Sequence, residues 1–355
     1  MSYYVEYDID PFCCAPDMPI REVLLRINSL TTTPVFQIVV DEAGKVVGTA
    51  TDGDIRRGIL AGNSLDDPIR SCMHQGARTL KRLDRIPEPT MQEYGFLPHV
   101  DETGKLAAIV INSLLATGIQ NCLIMAGGYG KRLGNLTLNT PKPLVALGDR
   151  PILAHILMGL ERFGIRHAYL SVHFLADQFK QFAQDWNGDI DLDLIHETEK
   201  LGTAGALGLY PRPLDAPVLV INGDVLTNIN YLALKDFHDQ KGYDATIGVT
   251  LHDTEIPFGI IQQNKDGTLA GIEEKPVLTH FVAAGIYYLS PKILDMVPEP
   301  TALDMPDLIN LAAEKGLKIG LFPIHEYWRD IGRPPDLKAA GIDLAQDLVN
   351  LDGCD

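Results

Sequence analysis

The sequence has few cysteines, and none of them is spaced as a redox pair or as a set of metal ligands. Five cysteines occur among 355 residues, and no two of them have the C-x-x-C spacing: Cys13, Cys14, Cys72, Cys122 and Cys354. This pattern fits a protein that is kept in the reducing cytosol and needs no disulfide framework.

Long apolar runs are also missing. No stretch approaches the roughly 20 residues that span a bilayer. The beginning of the sequence has neither the basic region nor the apolar region of a signal peptide. We therefore expect a soluble, cytoplasmic protein that has no membrane partner.

Positive charge is scarce in this chain. The formal net charge is −17, and no long basic run is present. This argues against nucleic acid or an anionic membrane surface as a partner. Lysines and arginines near residue 131 therefore form a local positive island, which is more typical of a site than of a general surface. The length exceeds that of one ordinary core and predicts two or three domains.

The stretch 122–148 contains this positive island. An apolar run at 123–126 predicts a buried strand, and the chain then turns through glycines and basic residues: Gly127, Gly128, Gly130, Lys131 and Arg132. Glycines let backbone N–H groups turn toward an anion without interference from a Cβ atom. Farther on, Lys142 is fixed between Pro141 and Pro143. The stretch predicts a cradle for a polyphosphate.

Two common phosphate loops do not match this stretch. A Walker A loop needs glycine in place of Met125 and serine or threonine in place of Arg132. The dinucleotide fingerprint needs glycine in place of Leu133. A looser dinucleotide pattern, with Gly134 as the third glycine and Asp149 as the ribose acid, stays open, although Asp149 lies in a predicted turn. A plain glycine loop is a further alternative that leaves the three basic residues unexplained.

The first 120 residues contain an internal repeat with an offset of 60 residues. Residues 36–47 align with residues 96–107, and each copy predicts a β-hairpin with an Asp-Glu-x-Gly-Lys turn. A short helical stretch follows each hairpin, at 54–60 and 112–116, and an amphipathic helix at 20–30 precedes the first. Two such units predict a pseudo-symmetric pair that shares one core.

The segment 48–57, Gly-Thr-Ala-Thr-Asp-Gly-Asp-Ile-Arg-Arg, resembles the tandem CBS-domain module. The resemblance implies that residues 1–118 form an α+β pair for regulation or dimerisation. It also implies that Thr51 and Asp54, with Asp52 as a rival, bind the ribose of an adenosine nucleotide. The second copy departs from this pattern at 111–113, so at most one of the two sites keeps these ligands.

Two alternatives to ligand binding stay open for this module. Its aspartates, Asp52 and Asp54, could simply cap the following helix. The pair could also serve only to join two subunits. Because CBS pairs commonly stack with one another, we expect a homodimer or a higher homo-oligomer.

Strands and helices alternate after residue 121. Apolar runs predict strands at 168–172, 192–195 and 218–221, and apolar stripes predict helices at 151–163 and 176–186. Continuous apolar strands that alternate with helices indicate a parallel sheet that is covered on both faces. Ligands bind beyond the carboxyl ends of such strands. The residues predicted there are 127–132, 196–205 and 222–224.

Two aspartates in the second part are candidate metal ligands. Asp224 follows an apolar strand and a glycine, where it could hold Mg²⁺ on bound phosphates. The alternative is a helix cap, because a helical pattern begins near Asn228. Asp330 precedes a glycine turn in the β-rich last third, which also contains the proline-fixed lysine of Glu274-Lys275-Pro276. A final helix is predicted at 336–348.

Taken together, residues 121–350 resemble the sugar-1-phosphate nucleotidyltransferases. The motifs of that family occur here in order: the glycine loop at 126–133, Pro-Lys-Pro at 141–143, Leu-Gly-Thr-Ala-Gly-Ala at 201–206, Gly-Asp at 223–224, Glu-Lys-Pro at 274–276 and Trp-x-Asp-Ile-Gly-x-Pro at 328–334. The resemblance implies a Rossmann-like (GT-A-like) α/β domain with a mixed, mainly parallel sheet. Lys131 stands where many members have threonine or serine.

The resemblance also implies an activity and a set of site residues. A sugar 1-phosphate would attack the α-phosphorus of a nucleoside triphosphate with Mg²⁺ as cofactor, and pyrophosphate would leave. The implied catalytic residues are Arg132, Lys142, Asp224, Lys275 and Asp330, and Asp224 and Asp330 among them would hold the metal. The implied nucleotide contacts are Ala126, Gly127, Gly128, Gly130, Lys131, Gly202 and Thr203. The implied contacts with the sugar phosphate are Gly259, Glu274, Lys275 and Gly285.

Several functional alternatives remain within and beyond this class. CBS-fused members resemble guanylyltransferases that act on mannose-, heptose- or glucosamine-1-phosphate in surface-glycan pathways, which favours GTP. Transfer from UTP or dTTP is the second choice. A catalytically inactive nucleotide sensor is another, and the complete set of acidic and basic residues argues against it. A dehydrogenase is disfavoured by the glycine spacing.

Overall fold

The computed structural model describes residues 3–30, 35–83, 95–112, 118–346 and 348–349. The strands of its N-terminal part are β1 (Tyr3–Glu6), β2 (Cys13–Cys14), β3 (Phe36–Val40), β4 (Val46–Thr51), β5 (His74–Gln75), β6 (Phe96–Val100) and β7 (Leu106–Asn112). They form two small sheets with the strand orders β2-β3-β4-β5 and β1-β7-β6. The described α-helices of this part are α1 (Ile20–Ser29) and α2 (Asp52–Leu60).

Both predicted hairpins are present. Strand β3 pairs antiparallel with β4, and β6 pairs in the same way with β7. The two turns are alike as well, because Asp41 and Asp101 each accept backbone hydrogen bonds from the residues two and four positions later. The helical stretch predicted at 112–116 lies almost wholly outside the described residues.

One aromatic stack joins the two copies. The rings of Phe36 and Phe96, which are equivalent positions of the repeat, are stacked with 3.6 Å between their centroids. Helix α1 covers the first copy with the predicted apolar face, since Ile20, Val23 and Ile27 are buried. The pseudo-symmetric pair predicted from the repeat therefore shares a core through its hairpins.

The second part is organised around one large sheet. Its strands are β8 (Asn121–Met125), β9 (Ala146–Leu147), β10 (Arg150–Pro151), β11 (His167–Val172), β12 (Asp191–His196), β13 (Val218–Asn222), β14 (Val225–Thr227), β15 (Ala245–Glu255), β16 (Ile260–Gln263), β17 (Leu269–Glu273), β18 (Val277–Leu289), β19 (Ile319–Pro323) and β20 (Trp328–Asp330). Its described α-helices are α3 (Ile152–Glu161), α4 (Ala176–Asp185), α5 (Tyr231–Lys241), α6 (Pro291–Leu294), α7 (Met305–Glu314) and α8 (Pro334–Ala345).

The large sheet is mixed and mainly parallel, as predicted. Its strand order is β12-β11-β8-β13-β18-β15-β19. Strand β18 is the antiparallel member, because it runs opposite to both β13 and β15, whereas the other neighbours are parallel. The β-rich last third of the sequence thus completes the same sheet that the alternating segment begins.

Apolar cores lie on both faces of this sheet. Along β8, Cys122 and Ile124 join the larger core, whereas Leu123 points into the core on the other face. Successive side chains of a strand point to opposite faces, so a strand that is buried on both faces has a continuous apolar sequence. This explains why the runs at 123–126 and 218–221 predicted the central strands.

The end of this sheet touches the N-terminal part. Helix α2 packs against helix α5 and against the edge strand β19.

Among the helices that the structure describes, none is both long enough and apolar enough to cross a membrane.

Candidate active site

The glycine loop lines a cavity at the carboxyl ends of the parallel strands. The cavity measures about 420 Å³, and its walls include Ala126, Gly128, Gly130, Lys131, Arg132, Lys142 and Asp224. Strand β8 ends immediately before the loop, and strand β13 ends immediately before Gly223. The sheet therefore brings together residues of all three predicted groups, with Lys200 from the group 196–205, in the place where open α/β sheets bind ligands.

Gly130 is required by the path of the loop. Its φ angle is +63°, a conformation that side chains rarely adopt, and a Cβ atom there would lie 2.9 Å from Cβ of Lys142. The loop continues into a 3₁₀ segment, Lys131–Thr137, and the hydroxyl of Thr137 donates a hydrogen bond to the Gly130 carbonyl at 2.9 Å. These contacts fix Lys131 and Arg132 at the start of a tight turn.

Lys142 lies between the two predicted metal carboxylates. Its side chain is buried, its ammonium group forms an ion pair with Asp224, and the same nitrogen lies 3.9 Å from Oδ1 of Asp330. Pro141 and Pro143 flank it at the start of a 3₁₀ turn. The structure thus joins three residues that are up to 188 positions apart in the sequence (142 and 330).

A short ladder holds the two carboxylates side by side. Strand β14, which follows Asp224, pairs antiparallel with β20, and Val225 is opposite Asp330. The backbone N–H of Ile331 donates to the Asp224 carbonyl at 3.0 Å. Asp224 is not a helix cap, because Asn230 caps α5 by accepting a hydrogen bond from the N–H of Ala233.

The electrostatics of Asp330 fit a cation site. Burial raises the pKa of Asp330, the nearby Asp224 raises it further, and Lys142 and Arg132 offset part of this effect. Oδ1 of Asp330 is buried without a hydrogen-bond partner. Two carboxylates with spare oxygen atoms suit Mg²⁺, which is commonly held by one or two carboxylates together with substrate phosphates. No cluster of three or more acidic, histidine or cysteine ligands occurs among the described residues.

The segment 201–206 lies against helix α7. The N–H of Thr203 donates to Oδ1 of Asp304 at 3.0 Å, and its hydroxyl accepts a hydrogen bond from the N–H of Met305. Gly202 has a φ angle of +77° and packs directly on Leu303. These contacts anchor the segment, and neither Gly202 nor Thr203 is among the residues that line the cavity.

Gly127 packs against a buried carboxylate. A Cβ atom at Gly127 would lie 2.6 Å from Oε1 of Glu197. Glu197 in turn accepts hydrogen bonds from the hydroxyl of Ser171 and from the N–H of Leu201. This glutamate therefore connects the glycine loop to the predicted nucleotide segment.

The predicted sugar-phosphate residues lie in and beside strands β16, β17 and β18, and two of the four are exposed. Glu274 and Lys275 are exposed between β17 and β18, and Lys275 has a φ angle of +46°. Gly259 faces Glu274, because a Cβ atom there would lie 2.9 Å from Oε2 of that residue. Gly285 packs on Asn222 at the end of β13. None of these residues is among those that line the cavity.

Two residues of the cavity wall lie within the predicted ranges 127–132 and 196–205, although the motifs did not single them out as site residues. Lys200 precedes the Leu-Gly-Thr motif, and Tyr129 occupies the variable position of the glycine loop. The ammonium of Lys131 lies 5.6 Å from the centre of the Tyr129 ring, and the Tyr129 hydroxyl is 3.2 Å from Nε2 of His173. The position of Lys200 beyond strand β12 was the available signal.

A family model described as Nucleotidyl transferase matches residues 121–347. The chain belongs to this family. A second family model, described as CBS domain, matches residues 5–61, which contain the first hairpin and helix α2. A nucleotidyl transferase domain thus follows an N-terminal CBS domain, in agreement with the motifs.

Curated relatives of this nucleotidyl transferase domain include mannose-1-phosphate guanylyltransferases. The catalytic subunit beta from Drosophila pseudoobscura pseudoobscura is 35% identical over 233 residues, which are 63% of this chain and 62% of the relative. The mannose-1-phosphate guanyltransferase from Debaryomyces hansenii is 34% identical over 226 residues, which are 60% of this chain and 61% of the relative. The chain therefore spans about three fifths of the length of these relatives.

A solved structure shares the fold of the transferase domain. The crystal structure of HddC from Yersinia pseudotuberculosis superposes with a TM-score of 0.51 and 26% identity, and the match covers 64% of this chain and 100% of that one. The structure of the same protein complexed with GMP-PN gives the same values.

The predicted nucleotide ligands of the CBS domain form a helix cap. The hydroxyl of Thr51 accepts a hydrogen bond from the N–H of Asp54, and Oδ2 of Asp54 accepts hydrogen bonds from the N–H and the hydroxyl of Thr51. Asp54 also pairs with Arg57 at 2.7 Å. The capping alternative is therefore present in the structure, and ribose binding by these residues stays a prediction.

Proposed function

We propose that this member of the nucleotidyl transferase family transfers a nucleoside monophosphate from a nucleoside triphosphate to a sugar 1-phosphate. The observation that carries the proposal is the position of Lys142 against Asp224 and near Asp330, at a cavity that the glycine loop lines. This arrangement combines a polyphosphate cradle with a cation site and a buried positive charge.

The reaction requires alignment of anions more than proton transfer. A phosphate oxygen of the sugar 1-phosphate attacks the α-phosphorus, the bond between this phosphorus and the bridging oxygen to the β-phosphate breaks, and pyrophosphate leaves with the electron pair. Both the nucleophile and the leaving group are already anionic, so no general base is needed. The task of the protein is to bring repelling groups together in line.

The described residues divide this task between them. The backbone N–H groups of the glycine loop, together with Lys131 and Arg132, would hold the β- and γ-phosphates. Lys142 would contact the α-phosphate. Its positive charge would there neutralise the negative charge of the transition state, in which one P–O bond forms and another breaks. Asp224 and Asp330 would hold Mg²⁺, which when bound supplies positive charge beside the reacting phosphates.

The sugar phosphate would be held by residues in and beside strands β16, β17 and β18. We propose that Lys275 binds its phosphate, that Glu274 accepts hydrogen bonds from its hydroxyls, and that Gly259 and Gly285 allow close approach of the backbone. Because Glu274 and Lys275 are exposed and do not line the cavity, the substrate has to extend from the cavity to these strands.

For the nucleotide we propose GTP, and for the sugar a mannose-type 1-phosphate used in glycan synthesis. Support comes from the names of the curated relatives and from the GMP-PN complex of HddC. Contacts of Ala126, Gly127, Gly202 and Thr203 with the nucleotide are part of this proposal. UTP or dTTP is the second candidate substrate.

An activity panel tests the proposal. Purified full-length protein with Mg²⁺ is incubated with each of GTP, UTP, dTTP and ATP and with mannose-, glucose-, glucosamine- or heptose-1-phosphate, and pyrophosphate release is measured. We expect release only when both substrates are present, and the highest rate with GTP. Release with no combination of substrates would contradict the proposed function.

We also propose that two copies of the chain associate through their CBS domains. Analytical ultracentrifugation should then show a species of twice the monomer mass. A species of monomer mass alone at micromolar concentration would contradict this part of the proposal.

A further inference from the structure

A fully buried arginine joins the CBS domain to the transferase domain. Arg56, on helix α2, has no exposed surface. It forms a two-point contact with Asp52 of the same helix, at 2.6 Å from Nε and 3.0 Å from one terminal nitrogen. The same terminal nitrogen donates to Oε1 of Glu326 at 2.7 Å, and Glu326 lies 270 positions later in the chain.

The remaining donors of this guanidinium also contact the transferase domain. The second terminal nitrogen donates to the carbonyl of Pro323 and lies 3.1 Å from Nδ1 of His325. The guanidinium carbon lies 3.7 Å from the centre of the Phe322 ring. Every polar atom of the Arg56 side chain is therefore bound, and three of its contacts are within residues 322–325.

The positive charge of Arg56 and the negative charges of its carboxylate partners stabilise each other in this contact. Burial raises the pKa of Glu326, but the charges of Arg56 and His325, together with the hydrogen bonds that this carboxylate accepts, outweigh burial and lower that pKa to about 2. The pKa of Arg56 is raised by its two carboxylate partners against the effect of burial. Since a buried charge without its partner is strongly unfavourable, the geometry of this contact is tightly specified.

The segment that Arg56 contacts leads directly to a metal carboxylate. Pro323 ends the edge strand β19, and residues 324–327 connect it to β20, which carries Asp330. Strand β20 and the residue before it have further attachments, because Trp328 donates from Nε1 to the Ala284 carbonyl of β18 at 2.9 Å and the Tyr327 carbonyl accepts a backbone hydrogen bond from Asn228. Arg56 fixes the start of this connection, and the ladder with β14 fixes its end.

We infer that Arg56 is a positioning residue for the cation site: by holding the connection between β19 and β20, the first CBS domain sets the position of Asp330 relative to Asp224 and Lys142. The inference rests on the proposed function in that it takes Asp224 and Asp330 as metal ligands. It makes the CBS domain a structural part of the transferase site, and it needs no ligand in the CBS domain.

A purely structural role for Arg56 predicts something different. In that case its loss lowers the stability of the chain, but the folded fraction keeps a normal cation site. A positioning role predicts a weaker cation site in fully folded protein. Metal affinity, measured without turnover, separates the two.

The test is a titration of full-length protein with Mn²⁺, with free Mn²⁺ followed by electron paramagnetic resonance. We expect Arg56→Met to raise the dissociation constant for Mn²⁺ by on the order of tenfold, the lower end of the effect of losing a group that orients metal ligands. Asp224→Asn provides the reference for loss of the site. Ile27→Ala, which removes buried side-chain volume from helix α1 of the CBS core and leaves Arg56 and its partners unchanged, provides the matched control for reduced stability and should keep the wild-type affinity.

A second variant covers the case in which Arg56→Met does not fold. The triple variant D52N/R56M/E326Q removes the arginine together with both charges that it balances, so no uncompensated charge is left buried. We expect the triple variant to fold and to show the same loss of Mn²⁺ affinity. Wild-type affinity in the folded triple variant would overturn the inference, as would the absence of Mn²⁺ binding by the wild-type protein.

The proposed function and this inference can fail separately. If the wild-type protein releases no pyrophosphate with any substrate pair but binds Mn²⁺ tenfold better than the folded triple variant, the proposed reaction is wrong and the positioning role stands. If turnover is normal and the wild-type protein and the folded triple variant bind Mn²⁺ equally, the proposed reaction stands and the positioning role is wrong.

Discussion

Nζ of Lys142 lies 3.9 Å from Oδ1 of Asp330, an oxygen that is buried and has no hydrogen-bond partner. The lysine is paired with Asp224 instead. Asp330 thus keeps an oxygen available for a cation although a positive charge lies nearby. Because Asp330 and Lys142 are neighbours, a cation held by Asp330 and the ammonium group of Lys142 can contact neighbouring phosphate oxygens at the same time.

Lys142→Met tests the role of the buried ammonium. The variant should lower turnover by on the order of 10²–10³, the scale for losing one contact that stabilises charge in the transition state. The measurement is the steady-state rate of pyrophosphate release at saturating substrates. Lys180→Met, which changes an exposed lysine of helix α4, is the control and should match the wild-type rate. Normal turnover of Lys142→Met would show that this lysine has no such role.

Asp236→Asn should stabilise the protein at neutral pH. Burial raises the pKa of Asp236 to about 6, repulsion from Asp239 and Asp52 adds to the effect, and Lys235 offsets part of it. A carboxyl group whose pKa is raised by folding favours the folded state below its ordinary pKa of 3.8, and this contribution is lost as the pH rises through about 6. The side-chain amide of the asparagine variant carries no charge, so its burial does not become less favourable as the pH rises.

We expect Asp236→Asn to raise the free energy of unfolding at pH 8 by on the order of 1–2 kcal/mol, and by roughly half as much at pH 5, where the carboxyl group is protonated in the folded protein but largely ionised in the unfolded chain. Urea denaturation at both pH values measures the difference. Asp215→Asn, at an exposed position, is the control and should change neither value. An equal effect of Asp236→Asn at pH 5 and pH 8 would exclude the titration of this residue as the cause.

The resemblance to CBS domains predicts that the N-terminal part binds an adenosine nucleotide. If Thr51 and Asp54 bind a ribose, AMP, ADP or ATP should raise the melting temperature of the wild-type protein, since a ligand of the folded state stabilises it. Asp54→Ala should lose this increase and also lower stability by about 1 kcal/mol through the broken helix cap. Differential scanning fluorimetry measures both effects. No shift with any of the three nucleotides would leave only the capping role for these residues.

Much of the fold follows from sequence patterns that are local. Strands β8 and β13 are buried on both faces, so their apolar runs identified them, and their carboxyl ends located the glycine loop and Asp224. The hairpin repeat was visible because the turn residues Asp41 and Asp101 accept the same backbone hydrogen bonds in both copies.

Other features depend on contacts that no local pattern encodes. Strand β15 continues to Glu255 although its last residues are polar, because these residues pair through the backbone with the start of β18. The pairing of Arg56 with Glu326 joins two segments of different domains, and each residue alone looks like an ordinary surface charge in the sequence. Lys200 lies within the predicted range 196–205, but no local pattern distinguishes it from its neighbours as the residue that reaches the cavity.

The fate of labelled phosphates tests the proposed reaction most directly. The full-length protein with Mg²⁺ is incubated with mannose 1-phosphate and with GTP that is labelled with ³²P at either the α- or the γ-position, and the products are separated by chromatography. In-line transfer predicts that the α-label appears in a sugar nucleotide that resists phosphatase, and that the γ-label appears in pyrophosphate. Release of the γ-label as orthophosphate, with the α-label retained in GDP, would contradict nucleotidyl transfer.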